Sequence, residues 1–266
     1  MSATKALSDG AIVAKRNLIK IKRVPDLLVF STISPIMFIL LFAYVFGSAI
    51  TAPGVSYREF LIPGIFAQTV IFGATITGAG LAEDIKKGII DRFRSLPMSR
   101  SAVLVGRTGS DVVNNVLVIT IMSLTGLAVG WRIRTSFGEA AVGFLLLLAF
   151  AYAISWVMAW VGLLVPSPEV VNNASFVVIF PLTFIANTFV PTNGFPSVLR
   201  TIANWNPVSS VTQAARQLFG NTNKSVPVPD YWSLRHPIIY TLLWVVLLLA
   251  IFVPLSVRQY KRAASR

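Results

Sequence analysis

The sequence predicts an all-α, polytopic membrane protein with six transmembrane helices. Three observations carry that prediction. Hydrophobic residues make up 55% of the 266 positions and charged residues only 12%, about half the charge of a soluble domain. The apolar residues are gathered into long runs, and a helix needs about 20 of them to cross the hydrocarbon core. The alternating pattern of a barrel strand is absent, so the spanning segments must satisfy their backbone groups as helices.

Taken in order, the predicted spans are 27–46, 60–82, 112–130, 140–165, 170–190 and 237–257. Nothing resembles a cleavable signal peptide, because the first apolar run is longer than a signal core of roughly 7–15 residues. Pro35 and Pro181 are expected to kink the first and fifth spans. Gly126-x-x-x-Gly130 and the run Gly73, Ala74, Gly78, Gly80 read as close-packing surfaces. No internal repeat is visible, so an inverted-repeat carrier has no support.

Six spans put both termini on one side. Sixteen Lys and Arg fall in the N-terminal segment, the loop after the second span and the tail; seven fall on the other side. The positive-inside bias therefore places both termini in the cytoplasm. The net charge of +13 is read the same way, as orientation signal and anionic-lipid contact rather than a nucleic-acid footprint.

Two segments outside the spans are also predicted to be ordered. Within 1–26, Ala11, Ala14, Leu18 and Ile21 share one helical face among basic residues, the pattern of an interfacial amphipathic helix. Segment 191–236, on the outer side, is too polar to span and too apolar for a free loop. Two short helices are expected there, 195–205 and 208–219, broken at Asn206-Pro207 because the residue before proline avoids the helical region. Such a hairpin can re-enter the membrane where protein shields it.

No catalytic chemistry is legible. There are no cysteines and one histidine, His236, so no metal cluster or thiol nucleophile assembles from the sequence. Glu83-Asp84 reads as a solvated helix end. No phosphate-binding loop of the Gly-x-x-x-x-Gly-Lys-Ser/Thr type exists. No ionisable residue lies mid-span, Asp111 and Glu139 being at span ends, which argues against an ion-coupled carrier. The spans do carry Gln68, Thr75, Thr77, Asn114, Asn115, Asn172, Asn173 and Asn187. Singly each is helix-helix glue. With Phe38, Phe42, Phe66 and Phe72 they also suit an amphipathic cavity, for which Phe66, Gln68, Phe72, Thr75, Asn115 and Asn187 are the candidates.

The loop 83–107 holds Ile89, Phe93 and Leu96 at i, i+4 and i+7, with Asp91, Arg92 and Arg94 on the remaining faces and Pro97 as a stop. A short helix held between two spans can dock its apolar knobs on a cytosolic partner. It can equally lie on lipid headgroups, and the residues alone do not separate the two.

Phe60-Leu61-Ile62-Pro63-Gly64, then Gly88 through Leu96-Pro97-Met98-Ser99-Arg100 and Gly106-Arg107, resembles the membrane subunits of type 2 ABC exporters. The likeness is closest to the daunorubicin-resistance-type drug efflux permeases. Val190-Pro191, Phe195-Pro196, Leu199-Arg200, Asn206-Pro207 and Ala215-Arg216-Gln217-Leu218 with Gly220 match the same family's re-entrant hairpin, so the likeness covers nearly the whole chain. The resemblance implies two permease chains, identical or related, bound to two separate ABC ATPase subunits. ATP and Mg would bind on those partners and no cofactor on this chain. Ile89, Asp91, Arg92, Phe93, Arg94, Leu96 and Pro97 would form the coupling helix, and Asn206, Pro207 and Arg216 would belong to the hairpin. The cargo would be an amphipathic or hydrophobic compound leaving across the cytoplasmic membrane. The alternatives are a permease for a lipid-linked envelope glycan, and a membrane-embedded enzyme or channel that works without ATP.

Overall fold

The computed structural model describes residues 25–47, 49–50, 54–89, 102–165, 167–223 and 229–263, with Ala14, Ile19 and Ala52 as single positions. The coupling-loop residues Asp91, Arg92, Phe93, Arg94, Leu96 and Pro97 lie outside them. So does the expected interfacial helix, apart from Ala14 and Ile19.

The described residues form helices and connections without a strand. In chain order the helices are α1 (Pro25–Leu40), continued as a π-helical stretch Leu41–Phe46, then α2 (Tyr57–Gly73), α3 (Thr75–Lys86), α4 (Ala102–Val129), α5 (Phe137–Leu164), α6 (Pro168–Phe184), α7 (Ser197–Trp205), α8 (Pro207–Leu218), α9 (Trp232–Arg235) and α10 (Pro237–Ala263). Among the described residues four helical stretches are long and apolar enough to cross a membrane: Tyr57–Lys86, Ala102–Val129, Phe137–Leu164 and Pro237–Arg262. The first joins α2 and α3 across a single turn at Ala74, where the Thr75 hydroxyl donates to the carbonyl of Phe72 at 2.7 Å.

α5 is the central helix. Ser136 and Glu139 close its N-terminus as a capping box, satisfying two otherwise orphaned donors. Along its length it packs against α3, α4, α8 and α10. Trp156, Ala159 and Leu163 close one end of the bundle with Leu81, Leu104 and Tyr260. This is the end that carries Lys86, Arg107 and the end of α10, here called the basic end. The opposite end, under α7 and α8, is the hairpin end.

Helix boundaries differ from the sequence expectation in two places that matter. α4 starts at Ala102 rather than 112, because its polar first turns are held by tertiary contacts. Arg107 lies across Gly80 and pairs with Asp84 at 3.4 Å. Asp84 is therefore buried and ion-paired rather than solvated, and Asp111 falls inside the helix as a buried residue. α6 ends at Phe184, six residues before the expected limit. Its 17 residues reach about 25 Å at roughly 1.5 Å each. The following segment 185–190 is irregular yet buried at Ala186, Asn187, Thr188 and Phe189.

Small residues set the closest helix contacts, though not all those expected. Gly162 on α5 meets Gly78 on α3: a Cβ at Gly162 would lie 2.2 Å from the Gly78 carbonyl oxygen. Gly126 packs on Ile62 and Trp131. Gly130 instead ends α4 in the left-handed region, with φ +104, as a glycine following a helix commonly does.

Candidate binding cavity

A cavity of about 400 Å³ opens among α1, α2, α3, α4 and α6, within the size range of small-molecule sites, roughly 300–1,000 Å³. Its two walls differ in chemistry. Gln68, Asn114 and Asn115 supply an amide wall from α2 and α4, with Thr69 and Thr75 beside it. Phe38, Phe72, Phe176 and Phe180 supply an aromatic wall from α1, α2 and α6.

The amide wall has unused hydrogen-bonding capacity. Asn115 is 2% exposed, and its Oδ1 has no partner in the protein. A buried acceptor in that state costs about 1–3 kcal/mol, so the site favours an occupant that donates to it, ligand or water. Gly73 permits this placement, since a Cβ there would lie 2.9 Å from the same oxygen.

The aromatic wall is one end of a continuous series of rings. Phe72 contacts Phe176 at 6.4 Å between centroids, Phe176 contacts Phe180 at 4.9 Å, Phe180 stacks on Phe184 at 4.1 Å, and Phe184 meets Phe189 at 4.8 Å. Phe189 stacks on Phe42 at 4.6 Å, and Phe42 on Phe46 at 5.1 Å. Apart from the tighter Phe180–Phe184 stack, these separations fall within the roughly 4.5–7 Å of offset or tilted aromatic pairs. The series leads from the cavity towards the hairpin end and offers a planar apolar solute a succession of equivalent surfaces.

The structure brings four of the six cavity candidates together: Gln68, Phe72, Thr75 and Asn115. It separates the other two. Phe66 is two residues from Gln68, so it points to nearly the opposite side of α2. There it is edge-on to Trp131 at 5.3 Å and to Phe219 at 6.2 Å, in a buried aromatic cluster. Asn187 lines a second, smaller cavity under the hairpin. Phe176, Phe180 and Phe184 were not among the candidates, although their i, i+4, i+8 spacing on α6 places them on one face.

The hairpin residues have structural work. Asn206 caps α8 by accepting the Val208 N–H on Oδ1 at 2.8 Å, and its Nδ2 donates to the carbonyl of Leu182 at 2.7 Å. Pro207 occupies the first helical position, where its missing N–H costs nothing. Arg216 is buried and reaches across to α2 and to segment 185–190. Among the described residues no three of His, Cys, Asp and Glu converge on a point that would hold a metal.

Comparison with known proteins gives a consistent result. The ABC-2 type transporter family matches residues 10–219. The chain is 32% identical over 246 residues to the daunorubicin resistance ABC transporter permease protein of Streptomyces coeruleorubidus, covering 92% of this chain and 83% of that one. It is also 25% identical over 216 residues to the ycf38 protein of Cyanophora paradoxa, named as a transport permease, covering 80% of this chain and 74% of the relative.

Proposed function

The chain belongs to the ABC-2 type transporter family, and from that membership we propose that it is the transmembrane subunit of an ATP-driven exporter of amphipathic compounds. The observation that carries the proposal is the two-walled cavity with its series of phenylalanines. It matches a solute with an apolar, planar body and a few hydrogen-bonding groups. The resistance function in the name of the Streptomyces relative points to outward transport of such a compound.

In this reading ATP is bound and hydrolysed on separate ABC ATPase subunits that dock on 89–97. A second permease chain faces α1 and α6. Phe176 is 55% exposed although it lines the cavity, so one chain alone leaves that wall incomplete.

The reading also assigns topology. α1 with its π-helical continuation is the first span, and α6 with segment 185–190 is the fifth, giving six spans with both termini in the cytoplasm. α7 and α8 re-enter the membrane from outside. Support comes from polar side chains in the hairpin that are buried against protein. Ser209 Oγ accepts the Asn187 N–H at 3.0 Å, and Ser210 Oγ donates to the Ser233 carbonyl at 2.8 Å. A cysteine at Ser197 is expected to react with an impermeant thiol reagent added outside intact cells, and one at Ser99 only after lysis. The chain has no cysteine of its own, so the reverse pattern would invert the topology.

The function is tested by efflux. Cells co-expressing the chain and its ATPase should retain less of an amphipathic fluorescent dye than cells with the ATPase alone. Asn115→Leu should weaken dye efflux about fivefold, the effect of roughly 1 kcal/mol for one lost hydrogen bond. Phe176→Ala combined with it should raise dye retention further, at unchanged membrane abundance. Dye retention that neither substitution changes would remove the cavity from the transport path.

A further inference from the structure

We propose that the smaller cavity beneath the α7–α8 hairpin is an oxyanion-binding site built on Arg216. The proposal is independent of which solute the larger cavity takes.

The guanidinium is 1% exposed and carries five N–H donors. Three are used. Nε donates to the carbonyl of Phe60 at 2.8 Å, and Nη2 donates to the carbonyls of Asn187 at 2.8 Å and Thr188 at 3.2 Å. Nη1 has no partner. Among the described residues the charge is also without a carboxylate counter-ion. Among the described residues at this end, Glu59 pairs with Arg134, Asp230 pairs with Arg235, and Glu139 accepts from Ser136. No carboxylate pairs with Arg216. The ring of Phe60, 3.5 Å from the guanidinium carbon, and three carbonyl dipoles offset part of the desolvation cost.

A structural clamp explains the three carbonyl bonds but not the idle nitrogen or the uncompensated charge. Arg216 lines a cavity of about 120 Å³, well above the ~10–15 Å³ that one water needs. Its other walls include Asn187, Thr192, Asn193, Gln213 and Thr222, and no carboxylate. The Thr192 hydroxyl already donates to Asn204 Oδ1 at 2.9 Å, but the amides of Asn193 and Gln213 and the hydroxyl of Thr222 add neutral donors around a fixed cation, the combination that suits an oxyanion. Asn187 Oδ1 is itself unpartnered. Amide O and N are interchangeable by a flip, so this group can turn a donor to an anion. The chemistry is shared by free inorganic phosphate and by the phosphate of a lipid headgroup.

The test uses the purified chain in delipidated neutral-detergent micelles, with thermal unfolding followed by intrinsic fluorescence at constant ionic strength. Inorganic phosphate should raise Tm saturably, by about 5 °C at a concentration some hundredfold above its dissociation constant. Two variants keep the result interpretable. Arg216→Lys keeps the charge and loses the fork of donors. Gln213→Leu leaves Arg216 untouched and fills the cavity with an apolar side chain. Both should lose the phosphate-dependent rise, whatever their starting Tm. A rise with phosphate in wild type but not in the variants assigns a free-anion site. A rise seen only with short-chain phosphatidylglycerol, and again lost in both variants, assigns a lipid headgroup. No rise with either probe, or an equal rise in wild type and both variants, overturns the proposal and leaves at most an adventitious ion.

Discussion

Phe93→Asp is expected to abolish transport while leaving the chain inserted and the cavity intact. In the sequence Ile89, Phe93 and Leu96 stand at i, i+4 and i+7 between α3 and α4, the spacing of one helical face, which we propose docks on the ATPase. A carboxylate there would have to be desolvated for docking on the ATPase without a partner. Losing the buried aromatic anchor of a docking helix and burying an unpaired charge each cost several kcal/mol at an interface. Together they correspond to at least about a hundredfold loss of coupled transport. The measurement is ATP-driven dye efflux alongside basal ATP hydrolysis by the complex. Efflux should disappear while hydrolysis persists or the ATPase dissociates. Wild-type efflux by this variant would assign the loop to the lipid surface instead.

Gly162→Val is expected to have the second largest effect, and it acts on the fold. The contact that a new Cβ would make is with backbone, the Gly78 carbonyl oxygen at 2.2 Å, and backbone cannot swing away like a side-chain tip. α3 and α5 would have to separate, at about 3 kcal/mol or more for overpacking at such a site. Because α5 also packs against α2, α4, α6, α8 and α10, the expected result is loss of most folded protein from the membrane fraction, seen as a collapsed monodisperse peak in size-exclusion chromatography. Gly138→Val is the matched control, because a Cβ at Gly138 meets nothing within 4 Å. Equal yields of the two variants would mean that α3 and α5 do not touch in the membrane.

The helical class was legible because apolar runs and loop charge obey the bilayer's own rules, which act locally along the chain. What the sequence hid was decided by contacts between distant segments. α4 extends back to Ala102 because Arg107 finds Asp84 and Gly80, residues more than twenty positions earlier. Neither Glu83-Asp84 nor the polar first turns of α4 reveal that pairing by composition. The cavity was half legible. Polar residues in apolar spans marked Gln68, Thr75 and Asn115, but choosing between neighbouring aromatics required knowing which way α2 faces. Phe66 went to the aromatic cluster and Phe72 to the cavity. The phenylalanines of α6 carried a visible i, i+4 signal, which is common enough in apolar helices to pass for lipid-facing surface. The meaning of Arg216 depends on three carbonyls from two other segments, and no reading of α8 alone supplies them.

The central claim, that this chain works as one half of a machine whose ATPase is a separate protein, is tested most directly by what co-purifies with it. The chain should be extracted from its native membranes in mild detergent, captured, and its partners quantified by mass spectrometry. A soluble ABC ATPase is expected at one copy per permease chain, lost when Phe93 is replaced by Asp or retained without coupled efflux. A chain that comes out with no ATPase, and that moves solute in proteoliposomes without ATP, would contradict the account and assign the cavity to a self-contained channel.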